Sequence, residues 1–366
     1  MPKIKNVIAH LEDTAPSAYQ ESYDNSGLIT GNPQEEVQGI MISLDATEAI
    51  VDEAIDNGCN MIVAHHPIVF RGLKSLTGRS YVERTIIKAI KNDIAIYAIH
   101  TNLDNVLQGV NNKICQKIGL QNPRILLPKK LTLNKLTVFV PNESAGPILS
   151  ALSDAGAGQI GNYKNCSFQV SGQGTFQPNN DANPTIGEPG KLEKVDEKRI
   201  EVIFPSFKAK QIIAAMKNAH PYEEIAYYLH ALENENQEVG SGMFGMLEKP
   251  MEAEEFLAHL KNSMSLNCIR HTQPPQQKIQ TVAVCGGAGS FLLPHAIRSK
   301  ADAFVTADYK YHEFFDAEEQ LMIADIGHYE SEVYTKELIL ELLSEKFVSF
   351  AVHLAKTNTN PVLYYK

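Results

Sequence analysis

The feature that most constrains the fold is a regular alternation of apolar runs and amphipathic segments in the first third of the chain. The apolar runs at 38–47, 59–64 and 93–99 predict buried strands. The segments 48–58 and 81–92 between them carry apolar side chains at helical spacing and predict helices. Parallel strands need a long crossover, which a helix usually supplies, so this alternation favours an α/β fold with a largely parallel sheet.

A second pattern interrupts the first in the middle of the chain. Residues 136–156 and 199–230 each contain a strand that ends in V-x-x-P and is followed by a helix. A β-α-β order that occurs twice predicts a ferredoxin-like α+β module. The first alternation then returns near the C terminus. We therefore predict a discontinuous α/β domain formed by residues 1–128 and 247–366, with a ferredoxin-like domain inserted at 129–246.

Composition and charge argue against several classes of protein. The net charge of −10 disfavours binding to a phosphate backbone, so we expect no nucleic-acid partner. The five cysteines are scattered without a C-x-x-C pair, which indicates reduced thiols inside a cell rather than a disulfide framework. No run approaches the ~18 apolar residues that cross a bilayer, and the first residues lack the apolar core of a signal peptide. We therefore expect a cytoplasmic protein with no membrane partner.

Side chains that can bind metal follow the predicted strands directly. His65 and His66 come after the second predicted strand, and His100 and Asp104 come after the third. In open parallel sheets, ligands bind outside the carboxyl ends of the strands. A single histidine in such a position more often caps or packs than binds a metal ion, so the prediction depends on several of these residues together.

A third strand end, in the segment ADIGHYESE, supplies His328 and Glu332. These residues are four apart, so a helix would place both side chains on one face. Imidazole and carboxylate without thiolate suit Zn(II), Mn(II) or Fe(II). One catalytic zinc takes three protein ligands, whereas five strong ligands fit two ions ~3.5–4 Å apart that share a carboxylate. The predicted metal ligands are His65, His66, Asp104, His328 and Glu332.

Other residues have more than one interpretation from the sequence alone. His312 is either an acid–base group or a residue on a surface helix, and Asp24 either lines the site or caps a loop. The segment CGGAGS at 285–290 lacks the spacing of nucleotide-binding glycine loops and predicts a tight turn near the site. His220 has no partner cluster in its predicted module, and we expect a structural or interface role for it.

Several motifs taken together resemble the GTP cyclohydrolase 1 type 2 homologues, also called Nif-three-like proteins. The motifs are YDNSGLITG, VAHHPIVF, AIHTNLDN, GNYKNCSF, HPYEEIAYY, VAVCGGAGS, VTADYKYH and DIGHYESE. They extend from residue 22 to residue 332 in the order of the family, and their combination is highly specific. Ala307 stands where members usually carry glycine, and Tyr23 stands where many carry tryptophan.

The resemblance implies a two-metal site within a larger assembly. On the family pattern, His66 and Asp104 hold one ion, His65 and His328 hold the other, and Glu332 bridges the two. Zinc is the expected ion, with iron or manganese as alternatives. The resemblance also implies a homohexamer, a toroid in which the metal sites face an internal cavity.

The ligand set and the resemblance together predict a dinuclear metal-dependent hydrolase. In this hypothesis a metal-bound hydroxide attacks a nucleotide or a related small molecule, at C8 of guanine if the substrate is GTP. His100 or His312 would transfer protons. Two other functions stay open: a non-catalytic metal-binding or regulatory hexameric ring that serves as an adaptor, and a metal-dependent phosphoesterase.

Overall fold

The chain divides into two compact units in the computed structural model, which describes residues 1–365. The discontinuous unit consists of Met1–Pro128 and the chain from Gln237 onward. The continuous unit consists of Lys129–Asn236. All the predicted metal ligands therefore belong to the discontinuous unit.

The helices and strands have the following bounds within residues 1–365. The strands are β1 (Gly27–Thr30), β2 (Gly39–Ser43), β3 (Met61–Ala64), β4 (Ala95–Ala98), β5 (Gln121–Pro128), β6 (Leu133–Pro141), β7 (Phe168–Phe176), β8 (Glu193–Pro205), β9 (Tyr227–Leu232), β10 (Gly240–Met251), β11 (Arg270–His271), β12 (Ile279–Ala288), β13 (Ala303–Ala307), β14 (Met322–Asp325) and β15 (Ala351–Leu354). The α-helices are α1 (Ile4–Thr14), α2 (Glu48–Asp56), α3 (Tyr81–Lys91), α4 (Thr101–Asp104), α5 (Val110–Ile118), α6 (Ala145–Asp154), α7 (Ala209–Ala219), α8 (Ala253–Ser263), α9 (Leu293–Arg298), α10 (His328–Glu332) and α11 (Thr335–Lys346). Short 3-10 helices cover Ser17–Tyr19, Asn142–Ser144, Ser206–Lys208, Ser290–Leu292 and Tyr311–Ala317. None of the helices in this part of the chain has the length and apolar character needed to cross a membrane.

The first sheet of the discontinuous unit has the strand order β1-β4-β3-β2-β15. Strands β4, β3, β2 and β15 run parallel, and β1 is antiparallel at one edge. Every residue of β2, β3 and β4 is buried. Parallel strands that are covered on both faces have continuous apolar sequences, which is the pattern these segments show. The α/β prediction for the first third of the chain is confirmed.

The crossover helices of this sheet begin at side chains that cap them. The hydroxyl groups of Thr47 and Ser80 each accept a hydrogen bond from the backbone N–H three residues later, at the start of α2 and α3. Such caps satisfy one of the free N–H groups of a first helical turn. Ile50 of α2 and Ile86 of α3 then pack in one apolar cluster with Ile62 of β3. Helices α2 and α3 lead into β3 and β4, so their caps and their buried faces help to position these strands and the loops that follow them.

The second sheet of the discontinuous unit has the strand order β11-β14-β13-β12-β10-β5. Strands β12, β13 and β14 run parallel, and the other pairs are antiparallel. The sequence analysis assigned residues 237–246 to the insert, but β10 pairs with both β5 and β12, so this stretch belongs to the discontinuous unit. Ile42 of the first sheet and Val284 of the second lie in one apolar cluster. The unit therefore contains two sheets that share a core.

The continuous unit is built on a four-stranded antiparallel sheet with the order β7-β8-β6-β9. Helix α6 follows β6, and α7 follows β8. Leu136 of β6 and Phe204 of β8 form its core with Ile148 of α6 and Met216 of α7. The strand–helix order that occurs twice in the sequence is present in the structure.

Candidate metal centre

The predicted ligands come together from two sheets rather than from one. His65 and His66 follow β3, and Asp104 ends the short helix α4 that follows β4. His328 and Glu332 lie on α10, which follows β14 of the second sheet. Three strand ends thus converge as expected, but one of them belongs to a sheet whose approach the sequence did not indicate.

Two groups of ligand atoms share the carboxylate of Glu332. On one side, Nε2 of His66 and of His328 lie 2.9 and 3.1 Å from Glu332 Oε2. On the other side, Nε2 of His65 lies 3.5 Å from Asp104 Oδ1 and 4.0 Å from Glu332 Oε1. These distances place His66 with His328 and His65 with Asp104, which differs from the pairing that the resemblance implied.

The group around His65 has the properties of a cation site. Nε2 of His65 and Oδ1 of Asp104 are buried, and within residues 1–365 neither atom has a hydrogen-bond partner. A buried polar atom without a partner costs ~1–3 kcal/mol, which a bound cation would relieve. Imidazole nitrogens and carboxylate oxygens suit Zn(II), Mn(II) or Fe(II). These side chains, together with Glu332, therefore fit a divalent metal ion.

Carboxylates outside the cluster orient two of the imidazoles. Nδ1 of His66 lies 2.7 Å from Asp45 Oδ1, and Nδ1 of His328 lies 2.7 Å from Asp308 Oδ2. Each carboxylate accepts a hydrogen bond from Nδ1–H, so it turns Nε2 of the ring towards the cluster as a candidate ligand. Asp45 and Asp308 thus orient His66 and His328 so that Nε2 of each ring is available as a metal ligand.

His65 is oriented by a backbone carbonyl group and not by a carboxylate. Its Nδ1–H donates to the carbonyl oxygen of Ile99 at 2.9 Å. The side chain has no exposed surface, and burial lowers the pKa of His65 to about 3. A neutral imidazole with its Nδ1–H engaged presents a free lone pair at Nε2, which is the form that binds metal.

In the absence of metal, other candidate ligands carry opposite charges, since protonated His66 faces ionised Glu332. Burial lowers the pKa of His66, but hydrogen bonds to Asp45 and Glu332 outweigh burial and raise it to about 10. Burial also opposes the ionised form of Glu332, yet hydrogen bonds from His328 and His66 hold its pKa well below the usual value. Burial raises the pKa of Asp104 to about 7. A divalent cation would replace protons on these imidazoles, so metal binding is coupled to proton release.

Gly287, near the end of β12, leaves room for Glu332. A Cβ atom on Gly287 would lie 2.5 Å from Glu332 Oε1, and Gly287 has a φ of +61° that side chains rarely allow. The N–H of Gly287 donates to Ser331 Oγ at 3.0 Å. The segment CGGAGS therefore lies against the cluster, but its first four residues belong to β12, where the pairing with β13 shifts register, so the tight turn that the sequence analysis expected is not what the structure shows.

His100 forms a third possible metal-binding group with His65 and His66, in which the ligand atoms lie within 4.8 Å of one another. Its ring centroid is 5.3 Å from those of His65 and His66, and its Nδ1 lies 2.9 Å from Asp24 Oδ1. Asp24 also accepts hydrogen bonds from Thr101, at 2.5 Å from the hydroxyl and 3.1 Å from the backbone N–H. Burial opposes ionisation of Asp24, but these bonds keep its pKa below the usual value. Asp24 combines the two roles that the sequence left open, since it contacts His100 beside the cluster and also accepts hydrogen bonds in its own loop from the N–H of Asn25 and the hydroxyl of Ser26.

The structure does not bring His312 to the cluster. His312 is exposed on the 3-10 helix Tyr311–Ala317, and its ring contacts are with Tyr311 and Phe315 at centroid distances of 5.2 and 6.4 Å. It belongs to none of the possible metal-binding groups found within residues 1–365. His220 is a buried residue whose Nε2–H donates to the carbonyl oxygen of Phe139, which accounts for it as a structural histidine of the continuous unit.

Asp45 is the clearest site residue that the sequence analysis missed. It follows β2 by two positions, at the same edge of the sheet as His65 and His66. The rule that identified the histidines, that ligands collect beyond the carboxyl ends of parallel strands, applies equally to this strand. Asp308 follows β13 in the same way. Both carboxylates could therefore have been found from the sequence.

Comparison with known proteins identifies relatives along almost the whole chain. The model of one protein family, described as Duf34/NIF3 (NGG1p interacting factor 3), matches residues 2–361. A GTP cyclohydrolase 1 type 2 homolog from Halalkalibacterium halodurans is 39% identical over 365 residues, which cover 98% of each chain. The Bacillus subtilis protein of the same name is 37% identical, with 98% of each chain covered. A crystal structure of a Bacillus cereus protein related to NIF3 has a TM-score of 0.86 and 38% identity, covering 100% of this chain and 99% of that one.

Proposed function

The chain belongs to the Duf34/NIF3 family, and on that premise we propose that its clustered side chains bind two divalent metal ions that share Glu332. The observation that carries the proposal is the position of Glu332 between two ligand groups. One ion is held by His65, Asp104 and Glu332, and the other by His66, His328 and Glu332. Three protein ligands for each ion leave a position for water, as in catalytic zinc sites. Zinc is the expected ion, with iron or manganese as alternatives.

The function that this centre supports best is metal-dependent hydrolysis of a nucleotide or a related small molecule. Divalent ions bound to these residues would lower the pKa of water and so supply hydroxide near neutral pH. The printed name of the relatives, GTP cyclohydrolase 1 type 2 homolog, makes GTP the first substrate to test. The side chain of His328 is 41% exposed, so a substrate can approach the shared carboxylate from that side.

His100 is the residue that we assign to proton transfer. Its Nδ1 is bound to Asp24, which leaves the other ring nitrogen to exchange a proton with the substrate. Asp24 orients the ring and stabilises the imidazolium that forms when His100 accepts a proton. A catalytic role for His312 stays a prediction, since its described ring contacts are with neighbours on its own 3-10 helix.

The first experiment measures metal per chain by elemental mass spectrometry, on protein purified without chelator and without added metal. We expect two ions in the wild type and loss of both in Glu332→Gln, because this side chain contributes to each group. Glu345→Gln, which changes an exposed residue of α11, is the matched control and should keep both ions.

Retention of both ions by Glu332→Gln would refute the shared carboxylate. Turnover of GTP should be measured on the same preparations, with generic phosphate esters as alternative substrates. Full metal occupancy without turnover of either class would favour the non-catalytic metal-binding ring, and turnover of phosphate esters alone would favour the phosphoesterase.

Two proposals concern the architecture around the centre. The order β7-β8-β6-β9, with β6-α6-β7 and β8-α7-β9 along the chain, supports a ferredoxin-like domain in Lys129–Asn236. The homohexamer rests on membership of the family, and light scattering should give six times the chain mass of 40.5 kDa. A cytoplasmic location rests on the scattered free cysteines and stays a prediction.

A further inference from the structure

The segment that follows β15, residues 355–364, has no regular secondary structure but reaches the residues that support the metal ligands. We propose that this 355–364 segment positions the ligands of one metal ion, and that Thr359 is a positioning residue that acts on His66 through Asp45. The inference rests on the proposed two-ion centre. It assigns a role in metal binding to a segment that contains none of the predicted ligands.

A chain of two hydrogen bonds connects Thr359 to the centre. The hydroxyl of Thr359 donates to Asp45 Oδ2 at 2.5 Å. The other carboxylate oxygen, Asp45 Oδ1, accepts from His66 Nδ1 at 2.7 Å. A carboxylate that is held at both oxygens cannot rotate freely, so Thr359 fixes the direction from which Asp45 holds the imidazole. Partners of this kind orient a ligating histidine and increase its basicity.

A second connection runs from the same segment to the helix that carries two ligands. The side-chain amide of Asn360 donates to Glu330 Oε1 at 3.0 Å. Glu330 lies on α10 between His328 and Glu332. A helix of this length is unstable alone, because few of its backbone groups pair within it. The 355–364 segment therefore holds α10 at a position next to the ligands.

The segment is anchored independently of the centre at its other end. The N–H of Ala355 donates to the carbonyl oxygen of Ile42 at 2.8 Å, which continues the pairing of β15 with β2. The N–H groups of Lys356 and Thr357 donate to the carboxylate of Glu53, at 2.7 and 3.0 Å. These bonds place Thr359 at a fixed distance from Asp45. They also make Thr357 a matched control for Thr359, since both threonines are half-buried and only Thr359 reaches the centre.

The hydrogen bonds of the 355–364 segment lead to the ligands of only one of the two proposed ions. Thr359 acts on His66, and Asn360 acts on the helix of His328, so both point to the ion that these two histidines hold. His65 is held instead by the carbonyl oxygen of Ile99. No hydrogen bond described in residues 1–365 joins the 355–364 segment to His65. Loss of the Thr359 hydroxyl should therefore weaken one of the two ions selectively.

The test is a zinc titration of the full chain, stripped of metal, in competition with a chromogenic chelator. Thr359→Val should lower the affinity for one of the two zinc ions about tenfold and leave the affinity for the other unchanged. A tenfold loss is at the low end of the effect seen when a hydrogen-bond partner of a metal ligand is removed. Thr359→Ser, which keeps the hydroxyl, and Thr357→Val should bind both ions as the wild type does.

A double-mutant cycle tests the route through Asp45. Asp45→Asn should weaken the same ion as Thr359→Val, and the double variant should bind zinc no more weakly than Asp45→Asn alone. Additive losses would overturn the route, and an equal loss in Thr357→Val would overturn the specific role of Thr359. Wild-type affinity for both ions in Thr359→Val would overturn this inference alone. A wild-type protein that binds fewer than two ions would overturn the proposed centre and the inference with it.

Discussion

At the scale of single residues, Glu332 can contact both ligand groups only because Gly287 has no side chain. The Cβ position of Gly287 lies 2.5 Å from Glu332 Oε1, well inside van der Waals contact. The carboxylate is almost fully buried, with 3% of its side chain exposed, and His66 and His328 hold it at Oε2. The geometry of the centre therefore depends on the absence of a Cβ atom at Gly287 as well as on the ligands.

We predict that Gly287→Ala binds fewer than two metal ions per chain. The added Cβ would push Glu332 out of reach of one group, and the positive φ of Gly287 adds a backbone cost of ~1–2 kcal/mol. Gly119→Ala is the matched control, because Gly119 has a φ of +82° but nothing within 4 Å of its Cβ position. The control should lose a similar amount of stability and keep its metal, as measured by thermal unfolding and elemental mass spectrometry. Equal metal content in the two variants would contradict the prediction.

At the scale of elements, helix α10 places two ligands in register on one face. His328 and Glu332 are separated by one helical turn, and both side chains contact Nε2 of His66. Hydrogen bonds of the Ser331 side chain, one of them to a residue outside the helix, compensate for its short length. Ser331 Oγ accepts from the N–H of Gly287 at 3.0 Å and donates to the carbonyl oxygen of His328 at 2.7 Å.

We predict that Ser331→Ala both destabilises the protein and weakens metal binding. The variant leaves the buried N–H of Gly287 without its partner, which costs ~1–3 kcal/mol of unfolding free energy. It also frees α10 to shift its two ligands, so zinc affinity should fall in the chelator competition. Ser344→Ala, at an exposed position of α11, serves as the control. A stability loss without any change in zinc affinity would show that Ser331 supports the fold and not the ligands.

At the scale of the whole molecule, the centre joins the two sheets of the discontinuous unit. The ligands at the ends of β3 and β4 belong to the first sheet, and those on α10 follow β14 of the second. Ions that bind only the folded arrangement stabilise it by mass action. Metal should therefore stabilise the contact between the two sheets, in addition to the apolar core that they share.

We predict that removal of metal increases hydrogen exchange in the discontinuous unit and leaves the continuous unit unchanged. Exchange should rise in α10 and in the loops after β3 and β4, because these segments carry the ligands. Lys129–Asn236 contains none of the predicted ligands and serves as the internal control. The measurement is hydrogen exchange with mass spectrometry, with and without a chelator, followed by addition of zinc. A uniform rise along the whole chain would contradict the prediction.

Local elements and the chemistry of the candidate ligands could be predicted from the sequence. Apolar runs and helical spacing are written in short stretches of chain, so β2, β3, β4 and the helices between them were predictable, as were the five residues that could bind metal. The spacing of His328 and Glu332 also predicted that both lie on one helix face. The strand ends likewise contained the signal for Asp45 and Asp308.

The way in which these elements meet depends on long-range packing and is visible only in the folded chain. The pairing of His65 with Asp104, and of His66 with His328, depends on the approach of a second sheet. The contact of Thr359 with Asp45 joins residues that are 314 apart in the chain. Periodicity reports the face that a residue occupies in its own element, whereas long-range contacts depend on how whole elements pack. That is why the candidate ligands could be named from the sequence, whereas their grouping around Glu332 could not.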